Sequence, residues 1–382
     1  MKKNILVICE SIDLTNGGSV GQTKRIINGL KNKFKIILIT TKLSCKSTKK
    51  ELNGVKIYEL PTSPSIGVNK FKFINSTLVS KSKIKEILNE EKINLIYNVH
   101  TSPISKKIRK ISKKLNIPFV NHIHTPKNLS LHMLPKIIKF NFIGNIIDNY
   151  LIKCYKDSNH IIFTGTYDKD FETDLKKSNL TYTIISNGID INKYKKRINK
   201  NKLLKKYNLS TKKKVLYVGR YSPDKNIETL LIACKDIEDY ELLVVGHKEI
   251  KDKLNEYFTN ENIIYMGPKN QNELIDIYSL SDVLVLPSLI ELESLVFLEA
   301  ISCSLPIIIS DSNLNKTSQH MQNNGLIFKS KDPIDLAKKI NTILTDNKLR
   351  QKMSVESRKI AEKLDFKKSI SKIENLFIKL IK

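Results

Sequence analysis

Short apolar runs alternate with amphipathic segments along most of this 382-residue chain. Asn4–Cys9 reads as a buried strand, Val20–Lys31 as a helix with apolar residues at helical spacing, and Phe34–Thr40 as a second strand. Lys81–Glu91 (helix), Asn94–Val99 (strand), Ser102–Leu115 (helix) and Pro118–Ile123 (strand) continue the series. A long helical region at about Leu129–Tyr155 precedes strands at His160–Thr164 and Thr181–Ile185. Such alternation predicts a parallel sheet covered by helices on both faces. The pattern breaks between Asn187 and Lys214, where Lys193–Lys214 holds eleven basic residues and no acid, and a domain boundary is expected near its start.

A second series follows. Its strands fall at Val215–Gly219, Glu241–Gly246, Asn262–Met266, Val283–Leu286, Pro306–Ile309 and Leu326–Phe328. Helices fall at about Ile227–Lys235, Glu273–Ser279, Ser294–Ser302 and Pro333–Leu344, and two more helical segments run from Asn347 to Lys382, broken near Asp365-Phe366. The expected division is two Rossmann-like α/β domains, residues 1–190 and 191–365, with a closing helix over 366–382.

The length allows two full cores, and no apolar run reaches the roughly 18 residues needed to span a bilayer. The opening Met1-Lys2-Lys3 resembles a signal's basic start, but its apolar run ends at Glu10, so a first buried strand and a cytoplasmic chain are expected. Cys9, Cys45, Cys154, Cys234 and Cys303 show no paired spacing, which fits reduced thiols rather than a disulfide framework or a zinc site. The net charge is +28, with six arginines among 66 basic residues, and no nucleic-acid motif accompanies it. No nucleic-acid partner is expected. The first 180 residues carry +19 of that charge, which makes the first half the candidate for an anionic surface.

The densest chemistry lies around Glu291 and Glu299, eight residues apart. The strand Val283–Leu286 stops at Pro287-Ser288, and Ser294 is a good N-cap for a helix carrying Glu299. One acid then sits on a turn at the carboxyl end of a strand, where open α/β sheets bind ligands. Free N–H groups at a helix start favour a phosphate. Two carboxylates beside them accept hydrogen bonds from several hydroxyls. Phosphate plus polyol describes a sugar nucleotide.

This segment, read through Ser281-Asp282, Pro287-Ser288, Glu299-Ala300 and Pro306, resembles the E-x7-E signature of retaining glycosyltransferases of the GT-B fold, in particular glycosyltransferase family 4. It departs from the usual E-G-F-G-L, reading Glu291-Leu292-Glu293-Ser294-Leu295. The resemblance covers about residues 3 to 370. It implies two Rossmann-like domains facing each other across a cleft, acceptor binding by the first and nucleotide-sugar binding by the second. It also implies a final helix crossing back to the first domain, with Lys367–Ile381 placed to do so.

Val218-Gly219-Arg220 through Lys225-Asn226 follows the first strand of the second domain: a glycine that lets a ligand approach, then two cations. It is similar to the family's donor-phosphate clamp, which makes Arg220 and Lys225 the expected diphosphate ligands. Asn16-Gly17-Gly18-Ser19 lacks the dinucleotide G-x-G-x-x-G and looks like the family's glycine loop. His122 and His124 share one side of a strand, so a metal pair was weighed, but no third ligand of suitable spacing accompanies them. The run Pro118–Thr125 resembles the family's P-x-V-x-T-x-H, whose last histidine, here His124, meets the sugar. His100 is a lesser candidate. Ser186-Asn187-Gly188-Ile189-Asp190 is similar to a turn that ends the first domain in these enzymes, and Gly246-His247-Lys248 keeps one glycine of a usual G-x-G.

The implied activity is a retaining, metal-independent transfer of a hexose-type sugar from a nucleoside diphosphate sugar to a hydroxyl, in cell-surface polysaccharide or glycolipid synthesis. Glu291, His124, Arg220 and Lys225 are the expected catalytic groups. Gly17, Gly18, Gly219, Ser294, Leu295 and Glu299 join Arg220, Lys225 and Glu291 in donor binding. Rival expectations are a catalytically silent sugar-nucleotide-binding partner, a GT-B epimerase, or a pyridoxal-phosphate phosphorylase. The acceptor is expected to be a saccharide or lipid-linked, with the first domain docking peripherally on an anionic membrane through the basic helix around Ile104–Leu115 and an apolar contact from Leu129–Tyr155.

Overall fold

The computed structural model describes residues 2–9, 18–43, 46–62, 66–68, 71–73, 78–99, 102–124, 155, 157–166, 180–235 and 238–381. His100 and the apolar contact assigned to Leu129–Tyr155, Tyr155 excepted, lie outside them, as does Gly17. The chain divides into two α/β units. The first comprises residues 1–124, the described part of 140–185, and 367–382; the second contains 186–366.

In the first unit β1 (Asn4–Ile8), β2 (Lys35–Leu43), β3 (Thr48–Leu52) and β4 (Val55–Thr62) precede a small hairpin of β5 (Ile66–Val68) and β6 (Phe71–Phe73). β7 (Leu95–Asn98), β8 (Phe119–Ile123), β9 (His160–Phe163) and β10 (Tyr182–Ile184) follow. The main sheet has the order β10-β9-β8-β7-β1-β2-β4-β3 and is parallel except where β3 runs antiparallel to β4. β1, β7 and β8 are apolar and buried, as strands covered on both faces must be. The helix Pro103–Lys114 starts at a Ser102/Ser105 capping box and turns Ile104, Ile108 and Ile111 into the core, so its apolar stripe is spent on packing.

The closing helix Phe366–Leu380 belongs to this first unit from Lys367 onward. Ile370, Ile373 and Phe377 are its buried face. The Phe377 ring centroid lies 5.3 Å from that of Tyr97 and 6.0 Å from that of Phe34. Gly29 is required beside it: a Cβ there would overlap the Ile370 side chain.

The second unit holds β11 (Lys213–Val218), β12 (Tyr240–Val245), β13 (Ile263–Gly267), β14 (Val283–Leu286), β15 (Ile307–Ser310) and β16 (Gly325–Phe328). Their order is β13-β12-β11-β14-β15-β16, all parallel. This is the doubly wound arrangement, whose direction switches between β11 and β14. The two-residue period of the strands feeds two cores. Leu216, Leu243, Leu284, Leu286 and Ile307 pack on one face with Phe297 and Tyr278. Val215, Tyr217, Leu242, Val244, Val283 and Ile308 pack on the other with Leu230 and Ile340. Among the described residues no helix is long and apolar enough to cross a membrane.

Candidate active site

The switch point between β11 and β14 dictates where to look. β11 ends at Val218, and Gly219 donates its N–H to the Val245 carbonyl at 3.0 Å while its missing Cβ leaves room for the Tyr217 hydroxyl. That hydroxyl in turn donates to the Arg220 carbonyl at 3.1 Å, fixing the turn from below. Arg220 reaches the Asp224 carboxylate at 2.7 Å and Ser222 Oγ at 2.9 Å, with half of its side chain exposed. Asp224 is buried. Burial pushes its carboxyl up, but Arg220, Ser222 and Lys225 together outweigh this and hold it below the ordinary aspartate value. Asn226 closes the turn with φ 49°, a left-handed conformation that asparagine tolerates, and the helix Ile227–Ala233 begins.

The second loop leaves β14 and is tied to the first. The Leu289 N–H donates to the Asp224 carbonyl at 2.8 Å, and the Asn226 side chain donates to the Pro287 carbonyl at 3.3 Å. Lys225 Nζ is bonded to Glu291 Oε1, to which Ser288 Oγ also donates at 3.3 Å. The end of β15 pins this turn from the other side: Ser310 Oγ and Asn315 Nδ2 both donate to the Ser288 carbonyl, and Ser312 Oγ to that of Leu289. Arg220, Lys225 and Glu291 are thus brought together on two loops cross-linked by hydrogen bonds to main-chain carbonyls.

Ser294 caps the helix Leu295–Ser302, its Oγ accepting from the Phe297 N–H at 3.3 Å. Its own N–H goes to Thr317 Oγ1 at 2.9 Å. Leu295 and Val296 are therefore the residues whose N–H groups, lacking intrahelical acceptors, are available to an anion. Glu299 lies one turn further on, half-buried. Tyr194 and Tyr278 donate their hydroxyls to its two carboxylate oxygens at 2.9 and 2.8 Å.

In the first unit Gly18 opens the helix Gly18–Leu30, and His124 follows β8. The His124 ring lies 4.0 Å, centroid to centroid, from that of His122. His122 is buried and paired through Nδ1 with the Tyr97 hydroxyl. Burial and the neighbouring His124 push its pKa well below the ordinary histidine value. Among the described residues no three His, Cys, Asp or Glu side chains gather to hold a metal ion.

Residues 199–360 match the family model described as "Glycosyl transferases group 1". An uncharacterised glycosyltransferase of Methanocaldococcus jannaschii is 25% identical over 335 residues, 86% of each chain. The UDP-Gal:alpha-D-GlcNAc-diphosphoundecaprenol alpha-1,3-galactosyltransferase of Escherichia coli is 27% identical over 311 residues, 78% of each chain. Over these stretches the chain is similar to the group 1 glycosyltransferases. Its fold is GT-B. Sucrose-phosphate synthase from Thermosynechococcus elongatus superposes with a TM-score of 0.80 at 18% identity over 99% of both chains. Anabaena HepE in complex with UDP and glucose superposes at 0.73 with 15% identity, over 99% of this chain and 100% of that one.

The two irregular positions of the signature have packing explanations. Leu292 is buried. Glu293, its side chain fully enclosed, accepts from the Asn187 N–H at 2.5 Å and pairs with His320 Nε2 at 2.8 Å. Asp224, Ser288, Tyr194 and Tyr278 complete the arrangement and escaped sequence reasoning. Asp224 alone had a signal: it stands four residues after Arg220, in reach of its guanidinium across one tight turn.

Proposed function

We propose that this protein is a retaining glycosyltransferase that moves a hexose-type sugar from a nucleoside diphosphate sugar to a hydroxyl, without a metal. The observation that carries the reading is the cross-linked pair of loops holding Arg220, Lys225 and Glu291 at the β11/β14 switch point. Two cations there neutralise the diphosphate as it leaves. The diphosphate draws Lys225 from Glu291, whose carboxylate is then available to the sugar hydroxyls. The N–H groups of Leu295 and Val296 meet the phosphates, and Glu299 meets the ribose. The acceptor attacks the face that the leaving group vacates, which retains the anomeric configuration.

A lipid-linked or saccharide acceptor, and a role in cell-surface polysaccharide or glycolipid synthesis on the cytoplasmic side of a membrane, draw support from the relatives. The Escherichia coli enzyme names a diphosphoundecaprenol acceptor, as does an N-acetylgalactosaminyltransferase of Campylobacter jejuni that is 26% identical over 235 residues. Peripheral binding to an anionic surface fits this acceptor, and on the first unit Lys110, Lys113 and Lys114 are exposed for it.

The deciding experiment measures nucleotide release from UDP-, GDP- and ADP-sugars, chosen after a thermal-shift screen, in which a ligand stabilises by its concentration over Kd. Release with at least one donor, and an α-linked product from an α-linked donor, is expected. An inverted product overturns retention. Binding of a donor with no turnover across a broad acceptor panel would favour a silent binding partner instead.

A further inference from the structure

The segment that opens the second unit has a feature the transfer reaction does not use. Lys193–Lys206 contains eight basic residues and no acid. In its middle Ile198 is 101% exposed, as open to water as in an extended chain. Asn199 caps the helix Lys200–Lys206, its side chain accepting from the Lys202 N–H at 3.0 Å. An apolar residue just before an N-cap ordinarily packs against the fourth helical residue, here Leu203. Leu203 and Leu204 instead face inward and anchor the helix, and Ile198 projects away.

The charge around Ile198 is only partly matched. Arg197 and Lys206 pair with buried Asp276 at 2.6 and 2.7 Å, and Lys200 lies 3.4 Å from Asp282. Asp282 is shared with Lys213 and Arg350, and Lys193 meets Gln271. Lys195, Lys196, Lys202 and Lys205 are exposed and have no ion pair among the described residues. Arg197, Asn199, Lys202, Leu203, Lys206 and Asp276 line an open cavity of ≈ 400 Å³.

We infer that this face docks on an anionic lipid bilayer, with Ile198 entering the acyl boundary and the four unmatched lysines on the surface charge. A soluble anion satisfies the lysines but offers nothing to Ile198. A bilayer satisfies both, which decides between them. Each lysine near an anionic leaflet contributes about fivefold in affinity, decaying within a Debye length. The inference rests on the membrane-proximal acceptor proposed above, but it places the contact on the second unit.

The test is co-sedimentation of the full chain with vesicles of phosphatidylglycerol mixed into phosphatidylcholine, against phosphatidylcholine alone. Wild type is expected to bind the mixed vesicles, less so at high salt. Reversing Lys195, Lys196, Lys202 and Lys205 to glutamate should weaken binding by roughly a hundredfold or more. Ile198→Asp should weaken it about tenfold. Reversing Lys106, Lys107, Lys110 and Lys113 on the helix Pro103–Lys114 should leave most of the binding. Donor binding, followed by thermal shift, should be unchanged in the Lys195 set and in Ile198→Asp, which separates failure of docking from failure of the transferase reading. The inference falls if wild type ignores the mixed vesicles at low salt, or if neither second-unit variant weakens binding. It also falls if ionic-strength-matched inorganic phosphate abolishes binding while Ile198→Asp has no effect, since the face then serves a soluble anion.

Discussion

Glu293 accepts a hydrogen bond from the main-chain N–H of Asn187 at 2.5 Å, and its other oxygen pairs with His320. Two residues before Glu293 stands Glu291, bonded to Lys225. The segment with which the second unit begins is therefore fastened to the loop that carries the proposed donor contacts. Glu293→Ala removes a fully enclosed acceptor and leaves its donors unmatched, at an expected cost of about 1–3 kcal/mol in urea denaturation. Glu293→Gln keeps one acceptor oxygen and should lose less. An alanine variant as stable as wild type would show that the latch carries no energy.

Arg220→Ala and Lys225→Ala should each lower nucleotide release by roughly a hundredfold to a thousandfold. Because both act on one diphosphate, the double variant should lose less than the product of the single losses. Circular dichroism should show the fold intact, since Arg220 is half exposed. Unchanged turnover in either single variant removes that residue from the clamp.

Asp224 gives the clamp a pH signature. Its folded pKa lies below the ordinary 3.8, so the unfolded chain takes up its proton first on acidification. The stability it contributes is fully present above 3.8 and is lost as pH falls through the lower folded value. Asp224→Asn should therefore be less stable than wild type near neutrality, and the difference should shrink at acid pH. A gap independent of pH would mean that the Arg220 pairing does not set this titration.

His122 should act at higher pH. Its folded pKa is pushed down by burial and by His124, so below the ordinary 6.5 the unfolded state gains a proton that the native state refuses. Stability should fall as pH drops below 6.5, and His122→Gln, which retains a polar partner for Tyr97, should flatten that slope. Denaturation midpoints measured on both sides of 6.5 for the two proteins decide it.

Much of the candidate site was legible because local chemistry writes it. The apolar run Val283–Leu286, the stop at Pro287 and the N-cap at Ser294 together place Glu291 and Glu299 without any distant contact. The tyrosines on Glu299 were not legible: Tyr194 lies 105 residues away, and nothing in a tyrosine's neighbours announces where its hydroxyl will donate. The fold shows the same division. Strand β3, Thr48–Leu52, is exposed throughout and carries no apolar period. Its signal was instead the turn Asn53-Gly54, both at positive φ, which joins it to β4. The helix Lys200–Lys206 was hidden in a lysine run that reads as a linker until Asn199 and Leu203-Leu204 are weighed as cap and anchor.

Glu299 offers a test of ground-state binding. Tyr194 and Tyr278 hold its two oxygens, so each tyrosine sets where the carboxylate can meet a ribose. Tyr278→Phe should raise the donor KM several-fold with kcat little changed, the pattern of a contact made equally in ground and transition states. A fall in kcat at unchanged KM would place Glu299 in the chemical step instead.

The closing helix makes the last prediction. Phe377 is fully buried, its ring set against Tyr97 and Phe34, and it anchors a helix whose other contact, Ile370, leaves no room for a side chain at Gly29. Phe377→Ala opens a cavity that these rigid rings cannot close, at an expected cost of about 3–5 kcal/mol. Gly29→Ala attacks the same contact from the other side by overpacking, at about 1–3 kcal/mol. Since both loosen one interface, the double variant should lose less than the sum of the two. Hydrogen exchange should show residues 367–380 losing protection in Phe377→Ala while β11–β16 keep theirs. Uniform loss across both units would mean that the helix is part of one cooperative whole rather than a separately docked element.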